Sequence, residues 1–126
     1  MATLELTEQN FNEVIETHPM VVIDFWAPWC GPCRVFGPIF EQVSELHPGI
    51  TFAKVNTEQH QELAAQFEIR SIPTLMVVRE KVIIFSQAGA LQKKGLEEVV
   101  AQSAAVDMKA VHQELLTEQA ADGQLN

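Results

Sequence analysis

VVIDFWAPWCGPCRVF, Val21 to Phe36, is the stretch that decides the fold. Its first half, with Met20 before it, is short, β-rich and almost wholly apolar. That is the pattern of a strand covered on both faces. One charge, Asp24, interrupts it. The second half brings two cysteines, Cys30 and Cys33, separated only by Gly31 and Pro32, and runs on into a helical pattern. A strand passing directly into a helix puts Cys30 at the helix start. Unpaired backbone N–H groups and the positive end of the helix dipole favour a thiolate there. Residues three apart on a helix are neighbours, so Cys33 falls within disulfide reach of Cys30. Gly31 permits a tight approach. Pro32 suits a first helical turn, because the N–H it lacks would be unpaired anyway. Burial disfavours a carboxylate, so Asp24 should hold its proton to unusually high pH and can exchange it near neutrality. Trp29 offers an aromatic surface beside the pair.

Upstream, Leu4 and Leu6 alternate with polar neighbours, which predicts a short edge strand. Phe11, Val14 and Ile15 predict a helix that stops before Pro19. Thr7 or Asn10 can cap it, and Asn10 with Glu13 has capping-box spacing. Downstream, Phe36, Ile39, Phe40, Val43 and Leu46 keep a helical period to the HPG segment, with Pro38 expected to kink it. ITFAKVN reads as a strand and EQHQELAAQFEI as a helix. TLMVV and VIIFSQAG read as two strands, antiparallel because only REK joins them. Helical pattern resumes at Leu96. The order β α β α β α β β α implies an α/β sheet, mixed in direction, with helices on both faces.

The totals narrow the chemistry. The 126 residues suit one domain and carry a net charge of -9, which disfavours nucleic acid and anionic membrane as partners. The two cysteines are too few and too close for a secreted disulfide scaffold. His18, His47, His60 and His112 are scattered and supply no second ligand pair, so no metal is expected. MATLELTEQNF does not read as a signal peptide, and no apolar run approaches the ~20 residues that cross a bilayer. A soluble, cytoplasmic chain is the expectation.

DFWAPWCGPC resembles the active-site segment of the thioredoxin family. AKVN in the next strand, IRSIPT before the fourth and Gly89-Ala90 after the fifth match it in order. The resemblance runs from about Leu4 to Ala104. It implies the thioredoxin fold, a central mixed five-stranded sheet flanked by helices. Residues 1–105 would form that domain and 106–126 a helical C-terminal extension. It implies a thiol–disulfide oxidoreductase that reduces protein disulfides, with Cys30 as nucleophile and Cys33 as the resolving thiol. Asp24 would take the Cys33 proton through water, with Lys54 tuning it. Ile72-Pro73 would be a cis peptide with Pro73 packed on the cysteine pair. The Ile72 backbone would pair with an extended substrate segment, for which Gly89 leaves room. Trp26, Trp29, Ile72 and Gly89 would form the docking surface. The redox group is then the Cys30–Cys33 disulfide with no bound cofactor. NADPH would enter only indirectly through a thioredoxin reductase, and the chain itself has no G-x-G-x-x-G. The reductase and disulfide-containing proteins are the implied partners.

Three departures stand out. Glu68 occupies a position where the family usually has glycine. REK, Arg79 to Lys81, replaces its usual Asn-Gly-type turn before the last strand. Arg34 follows Cys33 where lysine is commoner. The chain continues past Ala104, where the family usually ends, and Leu96, Val100, Ala104, Met108, Val111 and Leu115 form one apolar stripe running into the added segment. If the helix is unbroken to Asp122, its 27 residues would span about 40 Å. A broken helix folded back on the body fits the same stripe. The extension leaves self-association open, and with it the alternative of a thioredoxin-fold binding or chaperone module.

Overall fold

The computed structural model describes residues 2–125. In chain order the elements are β1 (Thr3–Glu5), α1 (Phe11–Thr17), β2 (Met20–Trp26), α2 (Gly31–Leu46) and β3 (Thr51–Asn56). There follow α3 (Gln61–Gln66), β4 (Thr74–Arg79), β5 (Val82–Ala88), α4 (Lys93–Ala104) and α5 (Met108–Leu125). The five strands form one sheet in the order β1-β3-β2-β4-β5. β1 and β2 each run parallel to β3, whereas β4 is antiparallel to both β2 and β5. This is the thioredoxin fold expected from the sequence.

β2 is the middle strand, which explains its near-continuous apolar run. Val21, Ile23 and Phe25 point into one core with Leu6, Val14, Val55, Leu63 and Met76, beneath α1 and α3. Met20 and Val22 point into the other with Phe36, Phe40, Phe52, Leu75, Leu96 and Val100, beneath α2 and α4. Strand alternation assigns Asp24 to this second face. It is therefore buried under α2, flanked in register by Lys54 of β3 and Leu75 of β4.

Local chemistry sets the ends of the elements. The capping box before α1 is Thr7 with Asn10, not Asn10 with Glu13. Asn10 Oδ1 accepts from the Thr7 N–H at 2.8 Å, and Thr7 Oγ1 accepts from the Asn10 N–H at 3.2 Å. Asn10 itself is helical and its side chain caps nothing in α1. α2 is one helical segment through Pro38. α3 ends in a Schellman turn: the Ile69 N–H reaches Ala64 O, the Glu68 N–H reaches Ala65 O, and Glu68 is left-handed at φ 54°. Glu80 and Lys81 are the two left-handed residues of the β4–β5 hairpin, at φ 49° and 72°. Paired positive φ values are what a two-residue turn between twisted strands needs, which is why Asn-Gly is usual there.

The helix after Leu96 is not continuous. α4 stops at Ala104 and α5 starts at Met108, with Asp107 Oδ1 accepting from the Ala110 N–H at 3.2 Å as an N-cap. The Arg79 guanidinium, at the end of β4, donates to the carbonyls of Ser103, Ala104 and Val106 at 2.7, 3.2 and 3.2 Å. It satisfies the carbonyls that α4 leaves open at its C-terminus. The stripe survives the break only for one turn: Met108 is buried and Val111 half-buried, whereas Leu115 and Leu116 are exposed.

Candidate active site

Cys30 is the N-cap of α2. Its backbone is extended, its carbonyl accepts from the Arg34 N–H at 3.1 Å, and its Sγ accepts from the Cys33 N–H at 3.2 Å. A backbone donor at a helix start is thus aimed at the Cys30 sulfur and stabilises negative charge on it. Cys30 and Cys33 are bonded as a disulfide, their Cα atoms 5.2 Å apart. The two are nearly equally covered, 5% and 3% exposed, so in this state exposure does not separate attacker from resolver. Position does: only Cys30 receives the helix-start donor.

The two spacer residues differ in what they contribute. Pro32 occupies the first turn of α2, as expected. Gly31 is not demanded by the fold: its φ is ordinary, and a Cβ there would meet nothing within 4 Å. What its missing side chain leaves is open surface next to Cys30.

Facing the pair, Ile72-Pro73 is cis, and the Ile72 carbonyl oxygen lies 3.7 Å from Cys30 Sγ. Pro73 is buried, and Ile72 packs with Trp26 against Ala27, Cys30 and Cys33. The Gly89 N–H donates to Pro73 O at 2.8 Å, ending the β4–β5 ladder beside the site. Gly89 has φ 108°, so glycine is required there by backbone conformation as well as by any need for room.

Trp29 is 63% exposed yet fixed in orientation, because its indole Nε1–H donates to Glu58 Oε1 at 2.6 Å. Glu58 is held by its own backbone, whose N–H donates to Asn56 Oδ1 at 3.0 Å. Glu58 was not legible as a site residue. Nothing in TEQHQ separates it from the acidic and amide residues around it.

Asp24 lies at the floor. It is almost fully buried, and neither carboxyl oxygen has a protein hydrogen-bond partner. Burial pushes its pKa up to about 7, against a smaller lowering by Lys54. Lys54 stands over the Trp26 ring, Nζ 4.8 Å from the centroid. It lines a cavity of about 300 Å³ with Thr3, Leu4, Glu5, Trp26 and Glu41. The structure thus gathers the expected residues in two layers. Cys30, Cys33, Trp26, Ile72 and Pro73 meet at the surface; Asp24 and Lys54 adjoin beneath, with Trp26 common to both. No cluster of three metal-binding side chains occurs among the described residues.

The arrangement is a dithiol/disulfide at a helix start, bordered by an open backbone edge and backed by a buried acid. The family model described as Thioredoxin matches residues 2–102. A Streptomyces coelicolor protein named "Putative thioredoxin 2" is 47% identical over 122 residues, covering 97% of this chain and 91% of its own. That alignment takes in most of α5. Thioredoxin 1 of Nostoc sp. is 38% identical over 101 residues, covering 79% of this chain and 94% of its own. Among solved structures, Malassezia sympodialis thioredoxin (Mala s 13) superposes with a TM-score of 0.74 at 31% identity, covering 82% of this chain and 91% of that one.

Proposed function

The chain belongs to the thioredoxin family and is a thiol–disulfide oxidoreductase of the protein-disulfide reductase type, and from that premise we propose how its residues divide the work. In the reduced form the Cys30 thiolate attacks one sulfur of a partner disulfide. That S–S bond breaks, a partner thiolate leaves and a Cys30–partner mixed disulfide forms. Asp24, as carboxylate, accepts the Cys33 proton through water, with Lys54 tuning it. The Cys33 thiolate then attacks Cys30 Sγ and releases the second partner thiol. Two electrons have passed to the partner, and Cys30–Cys33 is left oxidised. The observation that carries this reading is the Cys30–Cys33 pair itself, with a helix-start N–H on the Cys30 sulfur.

Trp26, Trp29, Ile72 and Gly89 form the docking surface, with an extended segment of the partner lying along the Ile72 backbone. Pro73 packs beside the pair, and Gly31 and Pro32 set its spacing. Regeneration comes from NADPH through a thioredoxin reductase, and the compartment is the cytoplasm; no helix long and apolar enough to cross a membrane occurs among the described residues. Residues 1–105 are the catalytic unit and 106–126 a C-terminal extension that carries α5. The exposed Leu115 and Leu116 support self-association through it.

The test is reduction of insulin disulfides by dithiothreitol or reductase. The wild-type chain should accelerate it, and Cys30→Ser should abolish the acceleration. A wild-type rate no higher than background counts decisively against the reading. Cys33→Ser should accumulate the mixed disulfide.

A further inference from the structure

Lys54 stands between carboxyl groups on several sides. The register of β1, β3, β2 and β4 sets Glu5, Lys54, Asp24 and Leu75 in one row across the sheet. α2 covers this row and carries Gly37 and, one turn later, Glu41. Lys54 Nζ lies against Gly37, where a Cβ would stand 3.7 Å from it. Among the described residues Lys54 has no ion pair within 4.0 Å. Glu41 Oε1 accepts a hydrogen bond from Thr3 Oγ1, while its Oε2 is buried without a partner. Both Asp24 oxygens are in the same condition. The Lys54 cation, over the Trp26 ring, thus lies in register beside Asp24 and lines one cavity with Glu41, and both carboxyl groups keep unsatisfied oxygens.

We propose that Glu41 is a positioning residue that competes with Asp24 for the Lys54 ammonium, and so sets how readily Asp24 takes the proton of Cys33. The inference rests on the reading of Asp24 as that proton's acceptor. A buried carboxyl ionises more easily the closer a cation stands to it. Glu41 draws the ammonium outward and keeps Asp24 protonated to higher pH. The other elements around Asp24 add little charge. Leu75 of β4 and Leu96 and Val100 of α4 are apolar, the start of α2 brings the cysteine pair, and Glu5 of β1 lies beyond Lys54.

The experiment follows the Asp24 carboxyl carbon by NMR against pH, in the oxidised full-length protein. Four chains are compared: wild type, Glu41→Gln, Lys54→Met and the double variant. Glutamine keeps an acceptor for Thr3, so the helix contact is preserved. Glu41→Gln should lower the Asp24 midpoint by roughly half a unit to one unit, and the shift should fall by more than half when Lys54 is methionine. An unmoved midpoint overturns the proposal. So does a shift that persists undiminished without Lys54, because Glu41 would then act directly and not through the ammonium. Asp24→Asn tests the parent reading separately, by the pH profile of mixed-disulfide resolution. A profile that keeps its inflection in that variant removes the acceptor role, whatever the NMR coupling shows.

Discussion

Asp24 is where the energetics and the chemistry of this chain meet. Burial raises its pKa from 3.8 to about 7, so the folded chain holds a proton that the unfolded chain releases as pH climbs between those values. The folded state then binds more protons than the unfolded state, and stability falls as pH rises through that window. Asparagine carries no such charge. Asp24→Asn should therefore be the more stable protein at pH 8, by on the order of 3–4 kcal/mol, with the advantage shrinking by about half or more at pH 5. Urea unfolding of both proteins at the two pH values measures it. A gain that is equal at both would mean that Asp24 is not protonated in the fold. The destabilising charge was visible in the sequence because it broke an otherwise apolar strand. Glu41 was not visible, because it stands on an amphipathic helix among Gln42, Ser44 and Glu45, where a glutamate ordinarily faces water. Only the approach of Thr3 and the cavity beneath α2 distinguish it.

Among the elements, α3 shows what local sequence specifies and what tertiary context overrides. Its Schellman turn calls for a left-handed residue, and Glu68 supplies it at a steric cost that glycine does not incur. Glu68→Gly should stabilise the fold by about 0.5–1 kcal/mol, read from the midpoint of denaturant unfolding. A neutral or destabilising result would place the Glu68 side chain in a compensating interaction. The departure from glycine was legible as an anomaly; its left-handed φ needed the structure. The strands were read correctly as elements because their apolar runs end at sharp signals, Pro19, Asn56 and the Glu80-Lys81 turn. Thr7 and Asn10 both suited the cap of α1, and the capping-box spacing pointed to Asn10 with Glu13, whereas the pair formed is Thr7 with Asn10. Sequence spacing does not say which of two good caps the backbone reaches first. A break in the helix after Leu96 fitted the apolar stripe as well as a continuous helix did, but where it falls, between α4 and α5, was hidden. No proline or glycine marks it, and the carbonyls it frees are taken by Arg79, 24 or more positions away in sequence.

For the whole molecule, the extension is the feature that distinguishes this chain from a relative such as the Nostoc protein, whose match covers 79% of it. Removing the residues after Asp107 should lower the mass measured by light scattering if Leu115 and Leu116 join two copies. A full-length protein that is already monomeric ends that idea. The sheet also fixes where α5 is rooted. β4 begins with Thr74 beside Phe25, near the cysteines, and ends with Arg79 opposite Met20, at the far end of the central strand. There Arg79 closes α4, and Glu80 meets His112 of α5 at 3.3 Å. The helix is therefore anchored about one strand length, roughly 20 Å, from the reacting sulfurs. A molecule gripped at the root of α5, where His112 meets Glu80, would sit that distance from the dithiol. Such a grip turns the next disulfide encounter into an intramolecular event, governed by local concentration and the reach of the bound molecule, not by free diffusion. α5 would then be a tether, and the sheet the spacer that keeps tether and reagent from obstructing each other.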